Sequence, residues 1–330
     1  MAPFFQKKCK GGRICMAIKA LFTYNYGVEK MKGIEAFGYD IKVVSEQDLV
    51  YSEELEDIEV LVCYDPFRTL ETYKMKKLKW IQLSSIGIDQ LPVEYVKNTS
   101  IIITNNKGGY SIPMGEWIVL KTLEMFKNSK RLYENQVNRK WKIDTSIHEL
   151  YGKTIGFIGT GTIAEEASKR FQGFGVNILG VNTDGRDIQY FNKCYPMSEL
   201  NEMLKLCDVV VCTLPYTKTT YHLINEDRFI VMKNGAFFIN VARGSIVDEA
   251  SLIKNLKNGK LEGAAIDVYE EEPLKADSPL WELDNIILTS HSSWISEMRN
   301  ERRFNLIYKN MKKYVQGEKL VNVVDFKKGY

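Results

Sequence analysis

The segment Lys153-Thr154-Ile155-Gly156-Phe157-Ile158-Gly159-Thr160-Gly161-Thr162-Ile163-Ala164 decides the fold of this 330-residue chain. It begins as an apolar strand and continues into a turn of the form G-x-G-x-x-A that opens a helix. Gly159 permits the tight turn, Gly161 lets the backbone approach a pyrophosphate, and Ala164 allows close helix–strand packing. Because the helix N-terminus supplies free N–H groups for phosphates, the segment predicts a dinucleotide-binding unit, with Thr162 and Ile163 at the phosphates.

Short apolar runs alternate with amphipathic stretches on both sides of this segment, as in a parallel sheet covered by helices. Five runs precede it, at Ile18–Tyr24, Ile41–Ser45, Ile58–Tyr64, Trp80–Ser84 and Ile101–Thr104. Six more begin with it, at Thr154–Gly159, Val176–Val181, Val209–Leu214, Ala236–Val241, Gly263–Val268 and Ile286–Ser290. The pattern predicts an α/β protein with two doubly wound parallel-sheet domains, the second with six strands.

Two helical stretches set the predicted domain boundaries. The apolar spacing predicts one long helix from Pro113 to about Asn138 and a last helix over roughly Ser296–Gln316. Because the second sheet is complete before the last helix, this helix is expected to return to the first domain. We therefore predict a Rossmann dinucleotide-binding domain (112–295) inserted into a flavodoxin-like substrate domain (16–111 and 296–330). Residues 1–15 are interpreted as an extension.

Composition excludes several classes of function. Lys and Arg total 45 against 42 Asp and Glu, and this balance argues against a nucleic-acid-binding surface. No stretch approaches the roughly 18 apolar residues that a membrane span needs, and the N-terminus lacks a signal-peptide pattern. The six cysteines form no Cys-x-x-Cys pair and support neither a disulfide framework nor a zinc site. These features predict a cytoplasmic protein without a metal site.

The strand after the Gly-rich turn indicates which dinucleotide binds. An NAD site expects an acidic residue at its end, about 20 residues on, to hold the ribose 2′-hydroxyl. Asn182 occupies that position and is neutral, whereas Thr183 and Arg186 suit a 2′-phosphate. NADP is therefore favoured, and NAD stays open because Asp184 is also available to a 2′-hydroxyl.

Charged residues follow three consecutive strands of the second predicted sheet. Arg243 ends the fourth strand, the acidic stretch 267–273 follows the fifth, and His291 directly follows the last. His148 lies in a polar loop and reads as a surface residue, and His222 lies at a strand-to-helix connection, so His291 is the candidate acid–base group. A guanidinium matches a substrate carboxylate, and a carboxylate beside histidine fixes its tautomer and favours its protonated form.

In these motifs the chain resembles the D-isomer-specific 2-hydroxyacid dehydrogenase family, from Met16 to its C-terminus. The resemblance rests on Gly159–Ala164, Thr213-Leu214-Pro215-Tyr216-Thr217 with Thr220, Asn240-Val241-Ala242-Arg243-Gly244, Gly263–Val268 leading to Glu272-Pro273, and His291. It implies an oxidoreductase that transfers a hydride between NAD(P)(H) and a small 2-hydroxy or 2-keto acid with D-stereospecificity. Glyoxylate or hydroxypyruvate reductases and phosphoglycerate dehydrogenases are the nearest types.

The resemblance also implies roles for individual residues. His291 exchanges the substrate hydroxyl proton, Glu272 holds His291, and Arg243 orients the substrate. Substrate binding is implied for Ser85, Ile86, Gly87, Gly108, Gly109 and Trp294, and further cofactor contacts for Leu214, Pro215, Thr220, Val241, Ala242 and Asp267. A homodimer that pairs through the nucleotide domain is expected. An NAD(H)-sensing corepressor and a phosphoglycerate dehydrogenase are the alternative functions.

Overall fold

The computed structural model describes residues 17–327 and 329, so the predicted extension 1–15 lies outside the described residues. The chain divides into two compact units. Unit 1 contains the residues up to Gly109 together with those from Glu297 onward, and unit 2 is Tyr110–Ser296.

Unit 1 is built on a five-stranded parallel sheet. Its strands are β1 (Ile18–Phe22), β2 (Tyr39–Val43), β3 (Val60–Cys63), β4 (Trp80–Leu83) and β5 (Ile102–Thr104), in the order β2-β1-β3-β4-β5. Its helices are α1 (Val28–Glu35), α2 (Val93–Val96) and α9 (Arg299–Val315). This strand order is that of flavodoxin-like folds, as the sequence predicts.

The last helix, α9, belongs to unit 1. Phe304, Ile307 and Met311 of α9 are buried in one cluster with Ala20 and Phe22 of β1. Side chains alternate along a strand, so the residues between these two face the opposite side of the sheet. Helix α9 therefore covers one face of a sheet whose last strand ends at Thr104, almost 200 residues earlier in the chain.

Unit 2 contains a seven-stranded parallel sheet. Its strands are β6 (Thr154–Ile158), β7 (Asn177–Asn182), β8 (Lys193–Pro196), β9 (Val209–Cys212), β10 (Ala236–Asn240), β11 (Leu261–Ile266) and β12 (Ile286–Leu288), in the order β12-β11-β10-β9-β6-β7-β8. Its helices are α3 (Ser111–Phe126), α4 (Ser129–Val137), α5 (Thr162–Phe171), α6 (Leu200–Leu204), α7 (Glu226–Val231) and α8 (Glu249–Lys257). The order reverses between β6 and β9, which places a ligand crevice at their carboxyl ends.

The prediction of six strands in this sheet was wrong, because it missed β8. This strand has four residues, lies at the sheet edge and ends in Pro196. Cys194 and Tyr195 are its only buried residues. An edge strand this short gives no apolar run, and proline is tolerated there because one side of the strand pairs with nothing.

The prediction of one long helix from Pro113 was also wrong. Helix α3 ends at Phe126 and α4 starts at Ser129. Between them Asn128 adopts a left-handed conformation with φ of +49°, and its side chain donates a hydrogen bond to Asp144 at 2.9 Å. Asparagine tolerates this conformation, and the apolar periodicity continues across the break without revealing it.

Among residues 17–327 and 329, no helix combines the length and the apolar character that crossing a bilayer demands. No group of three or more His, Cys, Asp and Glu side chains in that part of the chain is arranged to hold a metal ion.

Candidate active site

The Gly-rich turn joins β6 to α5. Gly159 has φ of +97°, in the left-handed region that favours glycine. A Cβ on Gly159 would lie 3.2 Å from atoms of Thr213 and Leu214, so the turn packs against the end of β9. Gly161 has open space where a Cβ would stand, and α5 begins at Thr162. The turn thus combines helix N–H groups with room for a phosphate, which fits a dinucleotide.

Other residues predicted to contact the cofactor lie in loops after β9 and β10. They are Leu214, Pro215, Thr220, Val241 and Ala242. The Thr220 hydroxyl donates to the Pro215 carbonyl at 2.9 Å and accepts from the Thr217 N–H at 2.7 Å, so it shapes its own loop. Because Val241 and Ala242 are buried, their loop can offer a ligand mainly backbone groups.

Asn182, at the end of β7, is buried and organises the loop that follows. Its side-chain oxygen accepts hydrogen bonds from the N–H groups of Gly185 at 2.8 Å and Arg186 at 3.1 Å. Its side-chain N–H₂ donates to the Arg186 carbonyl at 2.9 Å and to the Thr160 hydroxyl at 3.2 Å. Both ends of the amide are therefore used inside the protein, which the sequence did not reveal.

Thr183, Asp184 and Arg186 are exposed around this loop. Arg186 Nη1 lies 2.6 Å from Asp184 Oδ1, and the side chains are 57% and 62% exposed. The hydrogen bond from Arg186 lowers the pKa of Asp184, so this carboxyl is charged at neutral pH. An exposed ion pair contributes little free energy, so either side chain is available to turn towards a ligand.

His291 and Glu272 form a hydrogen-bonded pair at the carboxyl end of the unit 2 sheet. His291 follows β12, Glu272 follows β11, and their Nδ1 and Oε2 atoms lie 2.7 Å apart. The other Glu272 oxygen accepts the Tyr269 N–H at 3.0 Å. Because the carboxylate engages Nδ1, Nε2 is the ring nitrogen left for proton exchange with a substrate.

Opposing effects act on the Glu272 carboxyl. Burial is the largest single effect and raises its pKa. Several effects act the other way, among them the hydrogen bond from His291, the hydrogen bond from the Tyr269 N–H, and the positive charge of Arg243. Together they outweigh burial and hold the pKa below its ordinary value. Glu272 is therefore a carboxylate at neutral pH. In that form it accepts the hydrogen bond from His291 Nδ1 and fixes the tautomer of the ring.

Arg243 stands just after β10, in a loop that rests on the Glu272 loop. The Asn240 side chain donates to the Arg243 carbonyl at 3.1 Å and fixes its backbone. A Cβ on Gly244 would lie 1.8 Å from the carbonyl carbon of Tyr269, so only glycine fits between the two loops. This contact sets the position of Arg243 relative to Glu272. The sequence predicted no such roles for Asn240, Gly244 or Tyr269.

Asp267 is fully buried beneath the His291 loop. One carboxylate oxygen accepts hydrogen bonds from the Thr289 hydroxyl at 2.5 Å and the Ser292 N–H at 2.8 Å, and the other accepts the Ser293 N–H at 2.9 Å. These bonds hold the backbone around His291, whose φ of +50° is uncommon for a non-glycine residue. The sequence predicts a cofactor contact for Asp267, whereas all three bonds here serve the His291 loop.

Trp294, predicted to bind substrate, also supports His291. Its indole N–H donates to the His291 carbonyl at 2.8 Å. Its ring packs edge-on against Tyr110, with the centroids 5.3 Å apart.

Unit 2 therefore brings Arg243, Glu272 and His291 to one edge of its sheet. Hydrogen bonds fix His291 at its carbonyl and at its ring, and the Ser292 and Ser293 N–H groups that follow it are held by Asp267.

The predicted carboxylate-binding residues Ser85, Ile86 and Gly87 lie in unit 1, after β4. The Asn105 side chain donates to the Ile86 carbonyl at 2.8 Å, and Gln90 donates to the Ser85 hydroxyl at 2.6 Å. Within residues 17–327 and 329, no hydrogen bond uses the N–H groups of Ile86 or Gly87. Two adjacent backbone donors of this kind suit an anionic group.

Gly108 and Gly109, also predicted to bind substrate, follow β5 in unit 1. Gly108 has φ of +93°, and the Gly109 N–H donates to the Asn106 carbonyl at 2.9 Å. The Asn322 side chain donates to the Lys107 carbonyl at 2.8 Å. The loop is therefore tied to the last segment of unit 1.

The comparison with known proteins agrees with this geometry. Residues 119–293 match the family described as D-isomer specific 2-hydroxyacid dehydrogenase, NAD binding domain. The chain belongs to this family. Its membership confirms the predicted resemblance and the predicted class of enzyme, the NAD(P)-dependent D-2-hydroxyacid dehydrogenases.

Curated relatives of this dehydrogenase include enzymes of two names. It is 34% identical to a glyoxylate reductase of Thermofilum pendens over 247 residues, which cover 73% of each chain. It is 32% identical to a D-3-phosphoglycerate dehydrogenase of Methanocaldococcus jannaschii over 316 residues, which cover 93% of this chain and 59% of that protein. The chain thus spans about three fifths of the length of the second relative.

Solved structures show the same fold. A D-isomer specific 2-hydroxyacid dehydrogenase from Xanthobacter autotrophicus, in complex with NADPH and MES, aligns with a TM-score of 0.83 at 25% identity, over 95% of this chain and 100% of that one. A D-lactate dehydrogenase from Aquifex aeolicus, complexed with NAD and lactic acid, aligns with a TM-score of 0.76 at 28% identity, over 91% and 96%. The predicted fold class is therefore confirmed.

Proposed function

We propose that this dehydrogenase interconverts a small 2-keto acid and the corresponding D-2-hydroxy acid, with a nicotinamide dinucleotide as the second substrate. The observation that carries the proposal is the His291–Glu272 pair, 2.7 Å apart and influenced by the charge of Arg243. A carboxylate-held imidazole beside a guanidinium suits proton exchange at a polarised carbonyl oxygen. The pair stands at the same sheet edge as the Gly-rich turn of unit 2.

Each residue of the set has a distinct role in the proposed reaction. His291 Nε2 donates a proton to the carbonyl oxygen during reduction and accepts the hydroxyl proton during oxidation. Glu272 stays ionised and holds the ring in one tautomer. Arg243 orients the substrate and polarises its carbonyl. The bound nicotinamide supplies or accepts the hydride, and Gly159, Gly161 and the start of α5 hold its dinucleotide.

We assign substrate-carboxylate binding to the backbone of Ile86 and Gly87. Their N–H groups make no other hydrogen bond in the described residues, and Asn105 and Gln90 hold the segment in place. Fixed donors bind a carboxylate without reorganising, which contributes to orienting the reacting carbon.

We propose NADP(H) as the preferred cofactor. Strand β7 ends in Asn182 and not in a carboxylate that would hold a ribose 2′-hydroxyl. The Asn182 amide is hydrogen-bonded within the protein. Exposed Arg186 and Thr183 suit a 2′-phosphate, provided that Arg186 leaves Asp184 when the cofactor binds.

A homodimer is part of the proposal. Helix α4 has no buried residue. Its last residue, Val137, is a strongly exposed apolar side chain, and so are Trp141 and Ile143 in the segment that follows. Apolar side chains gathered on one segment are typical of a surface that a second copy covers. Sedimentation equilibrium of the wild type and of Trp141→Ser tests this. We expect a dimer that weakens in the variant, and a monomeric wild type would contradict the proposal.

The function is tested by following NADPH and NADH oxidation with glyoxylate, hydroxypyruvate, pyruvate, longer 2-keto acids and 3-phosphohydroxypyruvate. We expect turnover with a small unphosphorylated 2-keto acid, faster with NADPH. Turnover confined to the phosphorylated acid would assign a phosphoglycerate dehydrogenase. Cofactor binding with no turnover of any acid would contradict the proposal and favour an NAD(H)-sensing role.

A further inference from the structure

His222 makes two contacts that link the loops of the proposed catalytic set. Its ring Nε2 lies 2.8 Å from Glu270 Oε1, and its backbone N–H donates to the Ser245 carbonyl at 2.9 Å. Ser245 follows Arg243 by two residues, and Glu270 precedes Glu272 by two. His222 therefore contacts both catalytic loops. In one loop it contacts Ser245, two residues after Arg243, and in the other it contacts Glu270, two residues before Glu272.

The surroundings of the pair reinforce this link. Glu270 Oε1 also accepts the Glu249 N–H at 3.2 Å, and Glu249 Oε2 accepts the Glu270 N–H at 3.3 Å. Asp248 is a further carboxylate close to His222. Its pKa is lowered chiefly by the hydrogen bond from the Ser251 side chain, against the effect of burial, and His222 is a smaller electrostatic influence. The Tyr221 ring stacks on the imidazole, with centroids 4.0 Å apart. The histidine thus faces carboxylates from two neighbouring segments.

The backbone at His222 is held in an uncommon conformation. Its φ of +46° lies in the left-handed region, where a non-glycine residue is disfavoured. Such conformations persist where the surrounding structure enforces them, and they concentrate at functional sites. Both partners of the contact are about one third exposed, 34% for the His222 side chain and 37% for that of Glu270. Pairs this exposed contribute little to folding stability, so a purely structural role explains the arrangement poorly.

We infer that His222 and Glu270 are positioning residues, which set Glu272 and Arg243 at the separation that the reaction requires. The inference rests on the proposed function and deepens it. Neither residue touches the reacting atoms. Their effect passes through Glu270 to the loop that holds Glu272 against His291, and through Ser245 to the loop of Arg243.

The test uses His222→Asn, Glu270→Gln, the double variant and His148→Gln as a matched control. Asparagine tolerates the left-handed backbone but is too short to reach Glu270. His148 is also paired with a glutamate, Glu262, with comparable exposure of 38% and 39%. That glutamate lies near the amino end of β11, whereas Glu270 follows its carboxyl end. The control therefore removes the same kind of pair from the opposite edge of the sheet.

We expect His222→Asn and Glu270→Gln each to lower kcat about tenfold, the size expected from a displacement below 1 Å. The double variant should be no worse than either single variant, because one contact is lost in all three. The Kd for NADPH and the Tm should stay at wild-type values, and His148→Gln should keep its kcat. Wild-type kcat in both single variants would overturn the inference. A loss of kcat that only follows a fall in Tm would overturn it as well.

A second readout separates this inference from the proposed function. The downfield proton resonance of the His291 Nδ1–H group, assigned by its absence in His291→Asn, reports the contact with Glu272 without turnover. A shift or broadening of this resonance in His222→Asn, and none in His148→Gln, supports the positioning role even if no 2-keto acid is turned over. An unchanged resonance with unchanged kcat overturns it.

Discussion

The replacement Gly244→Ala tests how closely the Arg243 and Glu272 loops are packed. The added Cβ would stand 1.8 Å from the Tyr269 carbonyl carbon, 1.9 Å from its oxygen and 2.4 Å from the Glu270 nitrogen. Ordinary contact begins near 3.4 Å. Since all three atoms are backbone, no side chain can move aside, and the loops must separate by about 1.6 Å (3.4 Å less 1.8 Å) to reach that distance.

A displacement of this size exceeds the 1 Å that costs about a hundredfold in rate, so we expect kcat/KM to fall by about a hundredfold or more. Steady-state kinetics with the best 2-keto acid measure this, and NADPH fluorescence measures cofactor binding, which should change little. Gly173→Ala is the control, because a Cβ there meets nothing within 4 Å and its φ is not positive. Wild-type kcat/KM in a folded Gly244→Ala protein would refute the packing argument.

Three further outcomes follow from the described contacts. The pKa of Glu272 is lower in the folded than in the unfolded chain. The charge of Glu272 therefore stabilises the fold at pH values above its ordinary pKa of 4.5, and this contribution is lost as the pH falls through the lower pKa of the folded chain. Urea unfolding at about pH 6 and about pH 4 should therefore show a smaller acid-induced loss of stability in Glu272→Gln than in the wild type; equal losses would contradict the shift. Asp267→Ala leaves the N–H groups of Ser292 and Ser293 without their acceptor, and each loss should lower the free energy of unfolding by about 1–3 kcal/mol. The urea midpoint should therefore fall, and an unchanged midpoint would count against the anchoring role. Arg186→Ala should raise the KM for NADPH about tenfold, equivalent to about 1.4 kcal/mol, while the KM for NADH stays constant; equal changes for both cofactors would exclude recognition of the 2′-phosphate.

The features that sequence predicts well are those that a local pattern encodes. The Gly-rich turn at 159–164 requires glycine for its backbone, and the buried parallel strands require continuous apolar runs. Arg243 and His291 were found because parallel strands deliver their following residues to one edge of a sheet. Pairing Glu272 with His291 needed the family resemblance, since stretch 267–273 offers several carboxylates.

The features that sequence missed depend on contacts between distant segments. The family resemblance implies a cofactor contact for Asp267. It does not reveal that the Asp267 carboxylate also accepts hydrogen bonds from N–H groups more than 20 residues later, in the His291 loop. From the sequence, Asn182 is a neutral residue at the position where an acidic residue would hold the ribose. The structure adds that its amide holds the loop after β7. The break at Asn128 depends on one backbone angle, which apolar periodicity does not record.

We assign the exchange of the substrate proton to His291 and the orientation of its ring to Glu272, and the substitution His291→Asn tests this assignment. His291→Asn keeps a side chain that tolerates the left-handed backbone at this position and removes the imidazole. NADPH oxidation with the best 2-keto acid and NADPH binding by fluorescence are measured on the same preparation. We predict that kcat falls about a thousandfold while the Kd for NADPH stays at the wild-type value. Turnover within a few fold of the wild type would contradict the assignment of proton exchange to His291.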